Sequence, residues 1–303
     1  MAALTERRNP KTAAIDLASA LEIVDLINAE DRTVAEAVHA QREPIAAALS
    51  TAEQVLRAGG RLFYAGAGTS GRLGVLDASE IPPTFGAPPE LVQGIIAGGP
   101  AALTRSQEGA EDRPEGARDD LDMAGVRAGD FVIGIAASGT TPYVRAALQH
   151  AKKLGARTAI IACSPLPADT LAAADIAIVV LTGPEVVTGS TRMKAGTATK
   201  LVLNTITTGA MIRLGKTYGN LMVDLQATNA KLRDRGERIV MEVLGVTRDA
   251  ARAALAGAEG SVRTAIVMAH ERVGRAEAEQ RLASVDRHLR AIVGPPPAVL
   301  DAS

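Results

Sequence analysis

Short, continuous apolar runs recur along the middle of the chain, and each is followed by a polar or glycine-rich segment. There are five of them: Leu62–Ala65, Val92–Ala97, Phe131–Ala136, Thr158–Ala162 and Ile176–Val180. Runs of this length that do not alternate with polar residues are typical of strands buried on both faces. Helical periodicity separates them, which favours right-handed crossovers. The pattern therefore predicts an α/β fold, a three-layer αβα domain with a parallel five-stranded sheet.

Both ends of the chain carry helical periodicity without strand signals. Before the first strand, the pattern predicts helices over Ala13–Asn28 and Thr33–Ala58. Helices are also predicted over Ala101–Glu108 and, after the last strand, over Thr191–Leu214, Leu221–Arg233, three short segments of Arg238–His270, and Ala276–Ile292. We expect an N-terminal helical arm (1–55), a sheet domain (56–220) and a C-terminal helical domain (221–303).

The composition narrows the class of protein. The chain has 303 residues, 47% of them apolar but only 2% aromatic, and a formal net charge of −1. Near-neutral charge argues against nucleic acid and anionic membranes as partners, and scarce aromatic residues argue against base stacking. The single cysteine, Cys163, excludes an internal disulfide framework and a thiolate metal cluster. No apolar leader or membrane-length stretch is present, so we expect a cytoplasmic protein.

A glycine-rich turn, Gly66–Gly71, follows the first predicted strand and precedes a helix. In this arrangement unpaired backbone N–H groups converge on an anion. Thr69 and Ser70 add hydroxyl donors, and the carboxylate of Glu80 follows shortly along the helix. This stretch predicts a phosphate anchor with an acid–base group beside it.

The same turn satisfies GxGxxG, so a dinucleotide site is an alternative. That site requires an acidic residue at the end of the second strand to hold a ribose hydroxyl. Here the second strand runs into Ala97-Gly98-Gly99-Pro100, and no Walker loop is present. A turn with a purely structural role, which binds no ligand, is another alternative.

Two further hydroxyl-rich turns follow later strands. Ser138–Thr141 precedes a helix that begins at Pro142, and Gly189–Lys194 precedes the long helix. Either turn alone is commonly a helix cap. Three such turns at the carboxyl ends of one sheet can instead surround a sugar phosphate, with Lys194 or Arg192 adding charge. The candidate binding residues are Gly68, Thr69, Ser70, Ser138, Gly139, Thr140, Thr141, Ser190, Thr191 and Lys194.

Long motifs make the chain similar to a known family. GAGTSGRLGVLDASEIPPTFG, ASGTTPYV and EVVTGSTRMKAGTATKLVLNTITTGAM closely resemble N-acetylmuramic acid 6-phosphate etherases of the sugar isomerase (SIS) superfamily. TERRNPKTAAIDLAS and YGNLMVDLQATNAKLRDR resemble that family too. The glucokinase regulatory protein is a more distant, non-enzymatic relative.

The resemblance implies a lyase without a cofactor. Such an enzyme cleaves the D-lactyl ether of N-acetylmuramic acid 6-phosphate with water, giving N-acetylglucosamine 6-phosphate and D-lactate in cell-wall sugar recycling. Opening the sugar ring makes the proton on carbon 2 acidic, and the lactate oxygen on carbon 3 can then be expelled. The route requires two proton-transfer groups and no metal.

Two glutamates match the catalytic pair of that family: Glu80 in DASE and Glu111 in EGAEDRP. Small and apolar neighbours predict partial desolvation of Glu80, which we assign as the acid. Glu111 becomes the base, although it lies in an acidic run that would ordinarily be a solvated face. The family motif alone favours it over Glu108.

The resemblance also implies a homodimer with sites shared between subunits, for which the helix Lys200–Leu214 is a candidate interface. The three short helices, about residues 236–272, resemble a UBA-like fold, which does not imply ubiquitin binding. Two alternatives to the etherase remain: a phosphosugar-sensing regulator without turnover, and an aldose–ketose isomerase of the same superfamily.

Overall fold

The computed structural model describes residues 3–225 and 229–298. It divides the chain into two compact units. The first contains the described residues up to Ser79 together with Pro89–Thr208, and the second contains Glu80–Pro88 and the described residues from Gly209 onwards. The sequence-based domain boundaries are drawn differently and stay a prediction.

The first unit is built on a parallel sheet, as predicted. Its five strands have the order β2-β1-β3-β4-β5. They are β1 (Leu62–Gly66), β2 (Val92–Ile96), β3 (Phe131–Ile135), β4 (Arg157–Ala162) and β5 (Ile176–Val179). Each matches a predicted apolar run to within one residue at either end, because a strand buried on both faces leaves an unbroken apolar signature.

Twelve α-helices form within residues 3–225 and 229–298. They are α1 (Ala20–His39), α2 (Arg42–Arg57), α3 (Gly68–Phe85), α4 (Pro114–Met123), α5 (Pro142–Lys153), α6 (Ala168–Ala173), α7 (Lys194–Arg213), α8 (Ala230–Leu244), α9 (Arg248–Gly257), α10 (Val262–Glu271), α11 (Arg275–Ser284) and α12 (Arg290–Val293). None of these described helices has the length and apolar character needed to cross a bilayer.

Helices cover both faces of the sheet. On one face, Phe63 of β1 and Val132 of β3 share a buried cluster with Leu121 of α4 and Leu148 of α5. On the other face, the hydroxyl of Tyr64 contacts α3. Successive residues of a strand point to opposite faces, so the continuous apolar runs serve both layers.

Five predicted helices are wrong in their bounds. The last of them, Ala276–Ile292, is divided into α11 and α12. α1 continues through Asn28–Thr33, where we expected a break, and it begins at a capping box formed by Ser19 and Glu22. The segment expected as a helix over Ala101–Glu108 forms only a 3-10 helix at Pro100–Leu103. The helix expected from Leu221 begins at Ala230, capped by Asn229, and residues 226–228 of that prediction lie outside the described residues.

The second unit contains a buried ion pair. Arg263 of α10 is fully buried, and its guanidinium pairs with Asp224 at 2.7 Å. It also donates to the carbonyls of Gly215 and Arg287. Burial lowers the pKa of Arg263 to about 10. Of the three short helices predicted over Arg238–His270, the first is the second half of the longer α8, and the other two are α9 and α10. Thr247 and Ser261 cap the last two as expected.

Candidate active site

The glycine-rich turn joins β1 to α3 with a single intervening residue, Ala67. Gly68 begins the helix with a φ of +52°, a conformation that favours glycine. Strand and helix approach so closely that a β-carbon on Gly66 would lie 2.8 Å from the backbone nitrogen of Gly71. The first amides of a helix have no partner within it. The turn therefore has the geometry of an anion site, with Thr69 in its first helical turn.

The three hydroxyl-rich segments lie near one another at the carboxyl edge of the sheet. A β-carbon on Gly196, in the first turn of α7, would lie 3.8 Å from the Thr69 methyl group. Cys163, just after β4, links the other two segments. Its backbone amide donates to the carbonyl of Ala137, and its thiol lies 3.7 Å from the carbonyl oxygen of Ala195.

The segment after β3 bonds partly to itself. The hydroxyls of Ser138 and Thr140 are 2.9 Å apart, and the Thr140 amide donates to Ser138 Oγ. Gly139 between them has a φ of +73°. Thr141 precedes α5, and its side chain makes no capping bond. The half-buried Ser138 and Thr141 and the exposed Thr140 are thus open to a ligand.

At the start of α7 the anion position is already filled. The carboxylate of the fully buried Glu185 accepts from the amides of Lys194 and Ala195, at 3.0 and 2.9 Å. Burial raises the pKa of Glu185. The amides of Lys194 and Ala195 are therefore not free for a substrate phosphate. The hydroxyls of Ser190 and Thr191 and the exposed side chain of Arg192 are the donors that this turn can still offer.

Lys194 is also placed differently from the prediction. Its side chain is 2% exposed, and its ammonium lies 2.6 Å from Oε2 of Glu30 in α1. Lys11 and Asn9 donate to the same carboxylate. The charge of Lys194 is thus neutralised inside the protein, because a buried ammonium requires a partner. It fixes the start of α7 and is not presented to a ligand.

The N-terminal strap, residues Thr5–Thr12, holds the loop before α7. The Gly189 amide donates to the carbonyl of Thr5 at 3.1 Å, and the Thr12 hydroxyl donates to the carbonyl of Val186 at 2.8 Å. The arm of the chain thus supports a segment nearly 180 residues away. Asn9, Glu30 and Glu185 are not among the site residues predicted from the sequence. Only one local signal was available: Glu185 is a lone acid in an otherwise apolar stretch.

Glu111 lines a small cavity beside the glycine-rich turn. It lies in a 3-10 helix, Ala110–Asp112, which follows Gly109 at a φ of +73°. The cavity has a volume of about 130 Å³. Its walls are Ala67, Gly68, Arg72, Ala97, Ala102, Ser106, Gln107, Glu108, Gly109, Ala110 and Glu111. Glu111 is exposed to solvent, and it shares this cavity with the start of the predicted phosphate anchor.

Glu80 lies one turn after Asp77 on α3 and is exposed, so the predicted desolvation is wrong for this chain. The buried side of the helix is taken by Asp77, whose carboxylate accepts from Tyr64, Asn204 and Thr207. Burial raises the pKa of Asp77 despite these donors. The spacing Leu73, Asp77, Ile81 puts this acid on the core side, a signal available in the sequence.

Replacing Tyr64 by Phe should lower the free energy of unfolding by about 2 kcal/mol, because its hydroxyl donates to a buried carboxylate at 2.8 Å. Urea denaturation measures the loss. Tyr218→Phe is the comparison, since the Tyr218 hydroxyl donates to a neutral carbonyl of Gly294 and should contribute about 1 kcal/mol. Equal losses would show that Asp77 is not carrying a charge.

Among the described residues, no group of three or more His, Cys, Asp or Glu side chains is arranged to hold a metal ion. Cys163 is buried, as predicted for an unreactive thiol. Burial raises its pKa to about 12. This keeps the sulfur in its protonated, non-nucleophilic form at neutral pH.

Comparison with known proteins identifies the family. Residues 44–152 match the family model of the glucokinase regulatory protein N-terminal SIS domain. A phosphoheptose isomerase from Neisseria gonorrhoeae aligns with a TM-score of 0.48 and 21% identity, over 63% of this chain and 98% of its own. The N-acetylmuramic acid 6-phosphate etherase of Rhodopirellula baltica is 52% identical over 96% of each chain. That of Symbiobacterium thermophilum is 58% identical over 87% of each chain. This chain therefore belongs to the N-acetylmuramic acid 6-phosphate etherase family.

Proposed function

We propose that the protein cleaves the D-lactyl ether of N-acetylmuramic acid 6-phosphate with water. The products are N-acetylglucosamine 6-phosphate and D-lactate, and the role is recycling of cell-wall amino sugars. The observation that carries the proposal is 52% identity over nearly the whole length of curated etherases. At that coverage, the sheet unit and the C-terminal helices are both shared with the named relatives.

The proposed route begins with the open-chain aldehyde of the sugar. A base removes the proton from carbon 2, and the electron pair forms the double bond to carbon 3. The carbon 3–oxygen bond breaks, and an acid protonates the departing lactate oxygen. Water then adds to carbon 3 of the unsaturated aldehyde, and carbon 2 regains a proton. The overall reaction consumes one substrate molecule and one water molecule. Two carboxylates, one acting as base and one as acid, suffice for all of its proton transfers.

Glu80 is proposed as the acid and Glu111 as the base. The position of Glu111 in the cavity beside Gly68 supports its part. For the phosphate we propose the α3 turn with Thr69 and Ser70. The hydroxyl segments Ser138–Thr141 and Ser190–Thr191 would complete the sugar site. Lys194 is proposed to act indirectly, since Glu30 already binds its ammonium.

The test is to incubate the pure protein with the substrate in H₂¹⁸O and follow D-lactate. We expect stoichiometric D-lactate without label, and ¹⁸O on carbon 3 of the sugar product, because water adds there after elimination. Label in the lactate instead would mean direct displacement at the lactyl carbon. No release of D-lactate would contradict the function itself.

The same assay separates two alternatives. A phosphosugar-sensing regulator is favoured by the match to the glucokinase regulatory protein domain, and it would bind the sugar without turnover. An aldose–ketose isomerase would also remove the carbon 2 proton, yet it would yield a ketose and no lactate.

We further propose that the protein is a cytoplasmic homodimer with no cofactor and that α8–α10 form a UBA-like bundle. The apolar helix over Lys200–Leu214 is the candidate dimer contact, supported by the 48% exposure of Ile212. Light scattering of the pure protein should give twice the chain mass of 31.2 kDa.

A further inference from the structure

The cavity at Glu111 has a size and a charge pattern that suit one fragment of the proposed substrate. Its volume of about 130 Å³ is that of roughly four water molecules. A lactyl group, with five non-hydrogen atoms beyond the ether oxygen, matches this volume, and a whole phosphorylated sugar would have to extend beyond it. Three alanines of the wall, Ala67, Ala97 and Ala102, supply apolar surface for a methyl group.

Arg72 of α3 is the one cation among the residues that line the cavity. Its Nε donates to the carbonyls of Ala102 and Leu103, at 3.0 and 3.1 Å. Both carbonyls belong to the short segment that begins at Pro100. Their hydrogen bonds to Nε fix the orientation of the guanidinium group. Within the described residues its terminal nitrogens make no hydrogen bond or ion pair. A guanidinium group with a fixed orientation and two free terminal nitrogens can bind a carboxylate in a bidentate manner.

We infer that Arg72 binds the carboxylate of the lactyl group and thereby selects lactyl ethers over neutral ethers. This inference rests on the proposed function, and it names the group that sets substrate specificity. Glu108 and Glu111 also line the cavity, so an incoming carboxylate would be repelled without a cation. Arg72 offsets that repulsion and holds the lactyl group in the cavity that Glu111 lines. Carbon 2, two bonds from the ether oxygen, is thereby brought towards the proposed base.

The phosphate is the other anion of this substrate, and two observations favour the carboxylate at Arg72. Gly68 of the proposed phosphate turn lines the edge of the cavity, but the hydroxyl residues Thr69 and Ser70 do not. Two glutamates on the wall would also repel a dianion more strongly than a monoanion. The cavity is therefore assigned to the lactyl end of the molecule, and the helix start to the phosphate.

The test compares three substrates: the natural compound, its lactyl carboxamide, and the sugar without phosphate. For wild type, replacing the carboxylate by the amide should lower kcat/KM about tenfold or more, because the half-buried Arg72 loses its charged partner. Arg72→Gln should lower kcat/KM on the natural substrate by a similar factor and should react equally with acid and amide. Arg72→Lys should keep part of the preference for the acid over the amide, because lysine keeps the positive charge but cannot form the bidentate hydrogen bonds of a guanidinium group.

The ratio between acid and amide is the decisive readout, because a purely structural loss would lower both rates together. Arg105→Gln is the matched control: this exposed arginine lies two residues beyond Leu103 and does not line the cavity. It should leave all three rates unchanged. An undiminished acid preference in both Arg72 variants would overturn the inference. So would an Arg72→Gln enzyme that no longer distinguishes substrates with and without phosphate.

A binding measurement distinguishes failure of this inference from failure of the proposed function. If wild type releases no D-lactate, the acid and the amide can be compared as ligands by calorimetry. Tighter binding of the acid by wild type, lost in Arg72→Gln, would still support the carboxylate site. Equal binding of acid and amide to wild type would contradict it.

Discussion

Glu111→Gln is expected to lower kcat for D-lactate release about a thousandfold, within the range for loss of a positioned base. Glutamine keeps the shape of the side chain at the cavity wall but cannot accept the carbon 2 proton. Binding of N-acetylglucosamine 6-phosphate, followed by calorimetry, should change little. The measurement is single-turnover release of D-lactate at saturating substrate.

Exchange of the carbon 2 proton with deuterated solvent distinguishes the two glutamates. If Glu111 is the base, Glu111→Gln should lose both exchange and lactate release. Glu80→Gln should lose lactate release by a similar factor while exchange continues, because the acid acts only when the carbon 3–oxygen bond breaks. The reverse pattern would exchange the two roles.

Glu115→Gln is the control for this pair. Glu115 is exposed, lies in the same acidic run, pairs with Arg113 and does not line the cavity. Its variant should retain full turnover. Full turnover in Glu80→Gln or Glu111→Gln would remove that residue from the mechanism.

Glu30→Gln should lower the free energy of unfolding by about 3–5 kcal/mol, since it leaves the ammonium of Lys194 buried without a counter-charge. The pair is close, at 2.6 Å, and both side chains are nearly inaccessible. Urea denaturation gives the loss. Adding Lys194→Met should recover much of it, because the second change removes the orphaned charge. Glu36→Gln, an exposed change on the same helix, should cost little.

The same carboxylate gives a defined pH dependence. Burial disfavours its charge, yet hydrogen bonds from Lys194, Lys11 and Asn9 prevail and lower the pKa of Glu30 from 4.5 to about 2. A depressed pKa adds stability above pH 4.5 that is lost as the pH falls towards 2. The loss should amount to about 3 kcal/mol. Glu30→Gln should lack this part of the acid transition; an unchanged transition would contradict the pairing.

The sheet was predictable because its signal is local. Each strand is a run of neighbouring apolar residues, so β1 to β5 could be placed from the sequence. Helix bounds were harder to predict where the local sequence signals for the start or end of a helix were weak. A break was expected between Asn28 and Thr33, but α1 runs through it, and the chain turns at Ala40 and Gln41 instead.

The site was only partly predictable, because its supports are distant in sequence. The hydroxyl turns follow from strand ends, and the structure does bring the starts of α3 and α7 together. The burial of Lys194 could not be predicted, since its partner Glu30 is 164 residues away. Glu185 at the start of α7 and Arg72 in the cavity wall likewise depend on tertiary packing that no local pattern reports.

The buried thiol of Cys163 has a practical consequence for spectroscopy. It is the sole cysteine of the chain, and with a pKa of about 12 it is inert towards maleimides at neutral pH. A cysteine introduced at the exposed Gln107, on the rim of the small cavity, would be the single reactive position. A fluorophore attached there would report occupancy of the cavity without first removing the native cysteine.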